Sequence, residues 1–393
     1  MIGPRATPRR ALGRALERVR SLATALALGA SLCGAAVAQS PPPAWVGKLK
    51  GDLAAIDSRH RARLGVHVLD LDSGASASHR ADQRWYLASM VKVPVAITVL
   101  RGVERGQYGL ETTVTLRASD YVDGAGTTSL APVGTPLTIR ALLEQMIIHS
   151  DNTATDMLIG LVGLPEVNAV VRSLVPEGLQ RITTLAEVRR LVYGELVPDV
   201  DRLTGRDLLL LRDARSDAER LQILHQLVNV PEGRRLRTSL DAAYEAYYAN
   251  GLNSGRLDAF ADLLALLAEG KALTPPYTEY LLGLMERVVT GTHRLKAGLP
   301  AQARLAHKTG TQRRRVCDGG LVRWAEDGRQ RRVVVVACTR DEPSLGGAEA
   351  VLMQVGLAIC RSGLLTQGVV DAFSCPAPVA MPHRQPGAVP LRR

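Results

Sequence analysis

Residues 89–106 read SMVKVPVAITVLRGVERG, and this stretch decides how the rest of the chain is organised. Before it, Leu64–Leu71 (LGVHVLDL) alternates with a period of two and reads as a strand, Asp72-Ser73-Gly74 as a turn, and Ala77–Tyr86 as the returning strand. At Ser89 the period changes. From there the apolar residues recur at helical spacing for roughly two hundred residues, as in Leu137–His149, Asn152–Leu161, Leu203–Val228, Ser254–Glu269 and Thr278–Val289. Strands return at Ala303–Lys308, Val316–Trp324 and Arg331–Thr339, with a turn at Glu326-Asp327-Gly328 between the last two, and Ala348–Ser362 reads as a closing helix. Strands at both ends around a helical middle predict an α+β fold. Its antiparallel sheet is assembled from both chain ends and packed with helices, and an all-helical lobe is inserted between them.

The quoted stretch also opens on chemistry. Ser89 and Lys92 lie one helical turn apart, so they share a face. A neutral lysine can take the serine proton, whereas arginine stays protonated. The start of a helix points backbone N–H groups at the place where an oxyanion would develop. Ser150-Asp151-Asn152 follows 61 positions after Ser89, at the junction of two predicted helices, and Lys308-Thr309-Gly310-Thr311 sits at the end of a predicted strand. Ser150 suits a proton relay to a leaving nitrogen. Asn152 suits a substrate amide carbonyl, and Lys308 suits both Ser150 and a substrate carboxylate. Strand backbone at Thr311 offers a further oxyanion donor.

A lone Ser-x-x-Lys arises about once by chance in a chain of this length. Each of the other motifs arises about 0.05 times, so the ordered set is specific. Lysine usage points the same way. Of 49 basic residues only Lys48, Lys50, Lys92, Lys271, Lys296 and Lys308 are lysines, and two of these occupy motif positions. A chain that otherwise uses arginine has kept lysine where a compact, titratable amine is useful.

The three motifs resemble those of class A beta-lactamases and the wider penicillin-binding serine enzymes, over about residues 45–365. The resemblance implies a sheet lobe and a helical lobe with the site between them. It implies Ser89 as the acylated nucleophile, Lys92 as base or proton carrier and Ser150 in proton relay. It assigns Asn152, Lys308, Thr309, Gly310 and Thr311 to substrate binding, with the backbone N–H groups of Ser89 and Thr311 as the oxyanion hole. It implies no metal and no organic cofactor.

Two departures accompany it. Class A enzymes carry a glutamate in a Glu-x-x-Leu-Asn pattern that activates the deacylating water. Here the matching stretch places Glu187 near the expected position with no Leu-Asn after it, and the alternative reading of Glu187 is a helix-start residue of Leu185–Tyr193. Glu195 is a poorer match. The 158 positions from Ser150 to Lys308 also exceed what a compact member needs, which points to a helical insertion at about 195–252 inside a helical lobe of about 87–295. Around the motifs, Asp151 reads as stabilising the helix junction, and Ser254 as a helix N-cap. His149 and His307 read as structural neighbours. Tyr121 is weighed as a cleft wall, and one of Arg313, Arg314 and Arg315 as a carboxylate partner.

The chain's ends read differently from its body. Residues 1–20 carry six arginines and one acid, Ser21–Val37 is uncharged and rich in Ala and Leu, and Ala36-Val37-Ala38 is a cleavage signal. Residues 1–38 therefore read as a signal peptide, 39–44 as a Pro-rich linker and 366–393 as a Pro-rich, basic, disordered tail. The location expected is periplasmic or secreted, with no stable membrane insertion after cleavage. The formal net charge of +11 falls to about +6 without the leader and is dispersed, which argues against a nucleic-acid partner. Cys317, Cys338, Cys360 and Cys375 remain, and three pairings are open; facing strands put Cys317 opposite Ala337 or Cys338. The activity expected is a class A-like beta-lactamase acting through an acyl-enzyme on Ser89. The alternatives are a D-alanyl-D-alanine peptidase or esterase at the same site, and a non-catalytic envelope binding protein. The partner is then a small beta-lactam or a peptidoglycan-like peptide.

Overall fold

The computed structural model describes residues 41–229, 239–326, 329–365 and 375–376; the proposed signal peptide, most of the tail and the turn at 327–328 lie outside them. Helix α1 (Ala44–Arg59) is followed by β1 (Arg63–Asp70), β2 (Ser76–His79) and β3 (Arg84–Tyr86). A 3-10 turn (Ala88–Val91) then leads into α2 (Lys92–Glu104). The short strands β4 (Thr113–Thr115) and β5 (Pro136–Thr138) precede α3 (Ile139–Ile148), α4 (Asn152–Val162), α5 (Leu164–Leu174) and α6 (Leu185–Gly194). Next come α7 (Gly205–Asp213), α8 (Asp217–Val228), α9 (Leu240–Ala249), β6 (Ser254–Arg256), α10 (Leu257–Ala268), α11 (Pro275–Glu286) and α12 (Leu295–Gly298). The chain closes with β7 (Arg304–Gln312), β8 (Arg315–Glu326), β9 (Arg329–Arg340) and α13 (Leu345–Arg361).

The main sheet has the order β2-β1-β9-β8-β7, and all its neighbours are antiparallel. It joins the two ends of the chain, as the order of elements predicts. Strand β9 contains Val333-Val334-Val335-Val336-Ala337-Cys338 because both faces of the sheet are covered. Val333, Val335 and Ala337 pack with α1 and α13, while Val334, Val336 and Cys338 pack with the helical lobe. A third apolar cluster joins α6 to α9 with Tyr86, which lies 4.8 Å from the ring of Tyr248 and 5.6 Å from that of Tyr247.

Several local expectations are corrected. The returning strand divides: β2 pairs with β1, but β3 pairs with β6 in a separate two-stranded sheet. Ser254 is therefore a strand residue, its hydroxyl donates to the Leu252 carbonyl, and α10 begins three residues later. The continuous helix at 203–228 is interrupted at Ala214-Arg215-Ser216, where Ser216 caps α8 by accepting from the Glu219 N–H. Strand β7 runs on to Gln312, so Lys308–Thr311 lies within it and not at its end.

Cys317 and Cys338 face each other across β8 and β9 and form a disulfide; Cys360 and Cys375 form a second. Cys317 also faces Gly310. The first bridge thus ties β8, the neighbour of the strand that carries Lys308, to β9 on its other side. Converting both Cys317 and Cys338 to Ala should lower unfolding free energy by about 3 kcal/mol, from the chain entropy that a loop of this size returns to the unfolded state. Urea unfolding of the oxidised parent and the double variant measures it.

Candidate active site

Ser89 is held at the start of a helix by the strained turn before it. Ala88 has φ of 48° and begins the 3-10 turn that leads into α2, with Ser89 as its second residue. Strand β7 packs directly on this turn. A Cβ on Gly310 would lie 2.3 Å from the Leu87 carbonyl oxygen, so only glycine permits the approach. The Ser89 side chain is half-buried, and among the described residues its hydroxyl has no hydrogen-bond partner.

Ser150 sits where α3 ends and α4 begins. It adopts φ of 61°, the left-handed conformation that terminates α3. Asp151 then caps α4, its Oδ1 accepting from the Ala154 N–H at 2.9 Å, while its Oδ2 accepts from the Thr128 N–H at 2.8 Å. The loop between Val122 and Thr128 presses against this junction. Gly124 and Gly126, both at positive φ, are the two positions where a Cβ would strike Asn152 or Asp151.

The junction aims the Ser150 hydroxyl between two amines. Lys308 Nζ donates to Ser150 Oγ at 2.9 Å, and Lys92 Nζ stands 3.2 Å from the same oxygen. Lys92 Nζ also donates to the Ser150 carbonyl at 2.6 Å and to Asn152 Oδ1 at 2.7 Å. Asn152 Nδ2 in turn donates to the Asp123 carbonyl. The structure therefore brings Lys92, Ser150, Asn152 and Lys308 into one hydrogen-bonded group. It does not join Ser89 Oγ to Lys92 Nζ.

Both amines are fully buried. Burial lowers the Lys92 pKa to about 7; the carboxylates of Asp151 and Asp156 oppose the shift, and Arg189 adds to it. Lys308 is pushed well below the usual lysine range by burial, then by the Lys92 and Arg294 charges. A neutral Lys92 has two N–H bonds, which match its two short contacts. Its lone pair is then left for the Ser150 hydroxyl, which accepts from Lys308 on its other side. A proton can pass along this line in either direction.

Other groups fix the frame, and the sequence did not single them out. Arg294, 2% exposed, donates to the Gly310 carbonyl at 3.1 Å, the Cys317 carbonyl at 2.9 Å and Thr311 Oγ1 at 2.8 Å. Thr309 Oγ1 lies 2.6 Å from Thr290 Oγ1. Asp156 accepts from the N–H groups of Leu185 and Ala186 at 2.7 and 2.9 Å, which anchors the start of α6, and burial raises its pKa to about 7. Arg189, one turn further along α6, pairs with Asp123. An arginine among so many carries no signal in the sequence. An acid inside the apolar run of α4 was the one readable mark.

The remaining sequence candidates fall outside this group. Glu187 is the third residue of α6, where Thr184 accepts from its N–H. Its carboxylate pairs with Arg181 at 3.3 Å, and among the described residues no hydrogen bond joins it to Lys92, Ser150 or Asn152. Glu195 lies at the other end of α6. Tyr121 is buried and donates to the Ala131 carbonyl, so it does not wall the cleft. His149 is exposed, while His307 pairs with Asp318 at 2.7 Å behind β7. Among the described residues no group of three or more His, Cys, Asp or Glu is placed to hold a metal ion.

Comparison with known proteins identifies relatives of the chain. A model described as the beta-lactamase enzyme family matches residues 48–362. A beta-lactamase of Stenotrophomonas maltophilia is 38% identical over 38% of this chain and 49% of that protein. One from Nocardia farcinica is 26% identical over 78% of this chain and 80% of its own length. In the stronger matches the chain spans about half the length of the curated relatives. Among solved structures, an ancestral class A beta-lactamase superposes with a TM-score of 0.59 at 25% identity, covering 80% of this chain and 99% of that one.

The depressed basicity of Lys92 can be read without any substrate. In a 13C-lysine NMR titration, the Lys92 Cε resonance should move with a midpoint near 7, while exposed lysines move above 10. A midpoint in the ordinary lysine range would mean that the amine stays charged at neutral pH.

Proposed function

The chain belongs to the beta-lactamase enzyme family, and on that premise we propose that it is a serine beta-lactamase of class A type, exported to the periplasm or beyond. The observation that carries the proposal is the Lys92–Ser150–Lys308 line beside an uncommitted Ser89 hydroxyl. In this reading Ser89 Oγ attacks the lactam carbonyl and neutral Lys92 takes its proton. The oxyanion is held by the backbone N–H groups of Ser89 and Thr311. The C–N bond breaks, and the proton reaches the departing nitrogen through Ser150. Lys308 and Thr309 hold the substrate carboxylate and Asn152 its side-chain amide. Water then adds to the ester carbonyl and returns Ser89 to its hydroxyl form. The two disulfides support an oxidising compartment.

A second reading is favoured by the position of Glu187. With that carboxylate paired to Arg181, Ser89 would acylate readily and release slowly, as in a penicillin-binding D-alanyl-D-alanine peptidase. Intact mass spectrometry of the protein with benzylpenicillin separates the two. A transient adduct with accumulating hydrolysed drug supports the lactamase, a persistent adduct the peptidase, and no adduct at any time overturns both.

Two further outcomes are expected. Adduct formation should fall about tenfold per pH unit below 7 and level off above it, because deprotonation of Lys92 supplies the base as pH rises through its pKa of about 7. Lys92→Arg should abolish the adduct. Glu187→Gln should leave turnover within about twofold, since it removes only a surface ion pair; a trapped acyl-enzyme would instead make Glu187 the deacylating base.

A further inference from the structure

Helix α6 sends a cation into the interior. The Arg189 side chain is 12% exposed and the Asp123 carboxylate that accepts from its Nε is 14% exposed, and the chemistry above uses neither. Around the guanidinium stand Tyr193 of the same helix, Tyr244 and Tyr247 of α9 and Tyr86 of β3. Their hydroxyls bring no compensating charge, so Asp123 supplies it. A buried ion pair adds little net stability once both groups have lost their water. What this pair orients therefore matters more than what it stabilises.

It orients the loop that lies over the Ser150 junction. Asp123 opens the run Asp123-Gly124-Ala125-Gly126, whose two glycines stand at positive φ. A run so rich in glycine has little stiffness of its own. The Asp123 carbonyl accepts from Asn152 Nδ2 at 2.6 Å, and Asn152 Oδ1 accepts from Lys92 Nζ at 2.7 Å. An amide presents an oxygen on one side and N–H groups on the other. Without the Asp123 carbonyl to receive those N–H groups, the amide is free to turn and set a donor against the Lys92 amine. Charge acts in the same direction as geometry. Burial lowers the basicity of Lys92, Asp151 and Asp156 at the start of α4 and within it oppose this, and Arg189 adds to it; Lys308 of β7 is the further cation facing the amine.

The step that follows rests on Lys92 acting as the base, as in the reading above. We propose that Arg189 is a positioning residue for acylation: paired with Asp123, it pins the carbonyl that orients the Asn152 amide, and through that amide it holds Lys92 Nζ in place to take the Ser89 proton. The guanidinium touches neither the substrate nor the reacting atoms. It acts through Asp123 and Asn152, from the helix whose glutamate is paired with Arg181.

Two readouts across pH test this: the Lys92 midpoint from 13C-lysine NMR and the rate of benzylpenicillin adduct formation. Arg189→Gln removes the cation and should raise the midpoint from about 7 by about one unit. Adduct formation at pH 7 should then slow at least fivefold, since about a tenth of the amine remains neutral one unit below its midpoint. Arg189→Lys keeps the charge and should recover at least half of both changes. Asp123→Asn leaves the cation unpaired, so it should move the midpoint downward while still slowing the adduct. A merely structural role would not move the two midpoints in opposite directions. Each variant is checked for an unchanged melting transition, and if Arg189→Gln fails to fold, the direction of the shift in Asp123→Asn decides. An unmoved midpoint in Arg189→Gln, a slowing that Arg189→Lys does not relieve, or an upward or absent shift in Asp123→Asn overturns the assignment. If the parent forms no adduct, the lactam reading is lost and the midpoints alone decide whether Arg189 sets the state of Lys92.

Discussion

The hydroxyl of Ser150 stands between two amines that have both been taken out of water. Two buried ammonium groups this close repel each other and lose their hydration, so the group is stable only when it carries fewer protons than two free lysines would. The surrounding structure serves to keep that arrangement. The left-handed turn at Ser150 sets the angle, Asp151 caps the helix that follows, and the loop with Gly124 and Gly126 closes over them. On the other side, Gly310 lets the strand that carries Lys308 reach the turn that carries Ser89.

Much of this was legible beforehand, for reasons that differ by element. Strand β9 is buried on both faces, and its run of valines marks it as central. The motifs are legible because each needs a particular residue type at a set spacing, and because lysine is rare in this chain. What was not legible depends on contacts distant in sequence. Nothing in Arg84–Tyr86 says that it pairs with Ser254–Arg256 and not with β1. The apolar spacing of 203–228 continues through the break at Ala214–Ser216, where only Ser216 hints at a new helix start. Arg294 and Arg189 look like surface arginines until the fold buries them.

Helix α6 illustrates how a local departure reshapes one side of a site. Its start is gripped by the Asp156 carboxylate, which meets two free N–H groups at the positive end of the helix. One turn later Arg189 enters the interior and pairs with Asp123, whose carbonyl holds Asn152. Arg189 is packed among tyrosines of α6 and α9 and lowers the basicity of Lys92. Glu187, between these two anchors, points to Arg181 instead. The same helix thus pairs its own glutamate with Arg181 while placing a cation near Lys92.

The sheet joins Arg63 to Arg340 and runs almost the full span of the folded chain. During synthesis from the N-terminus, β1 has β2 as its one sheet neighbour until the last third of the protein has emerged. Helix α2, which follows Ser89, likewise lacks the strands that will cover it. The amine of Lys308 cannot meet Ser150 before this point either, since 158 positions separate them. Closing such long loops is slow compared with forming helices. Ser89 is therefore made early and the buried amine group beside it is completed late, so a nascent chain carries the serine before Lys308 and Ser150 have met.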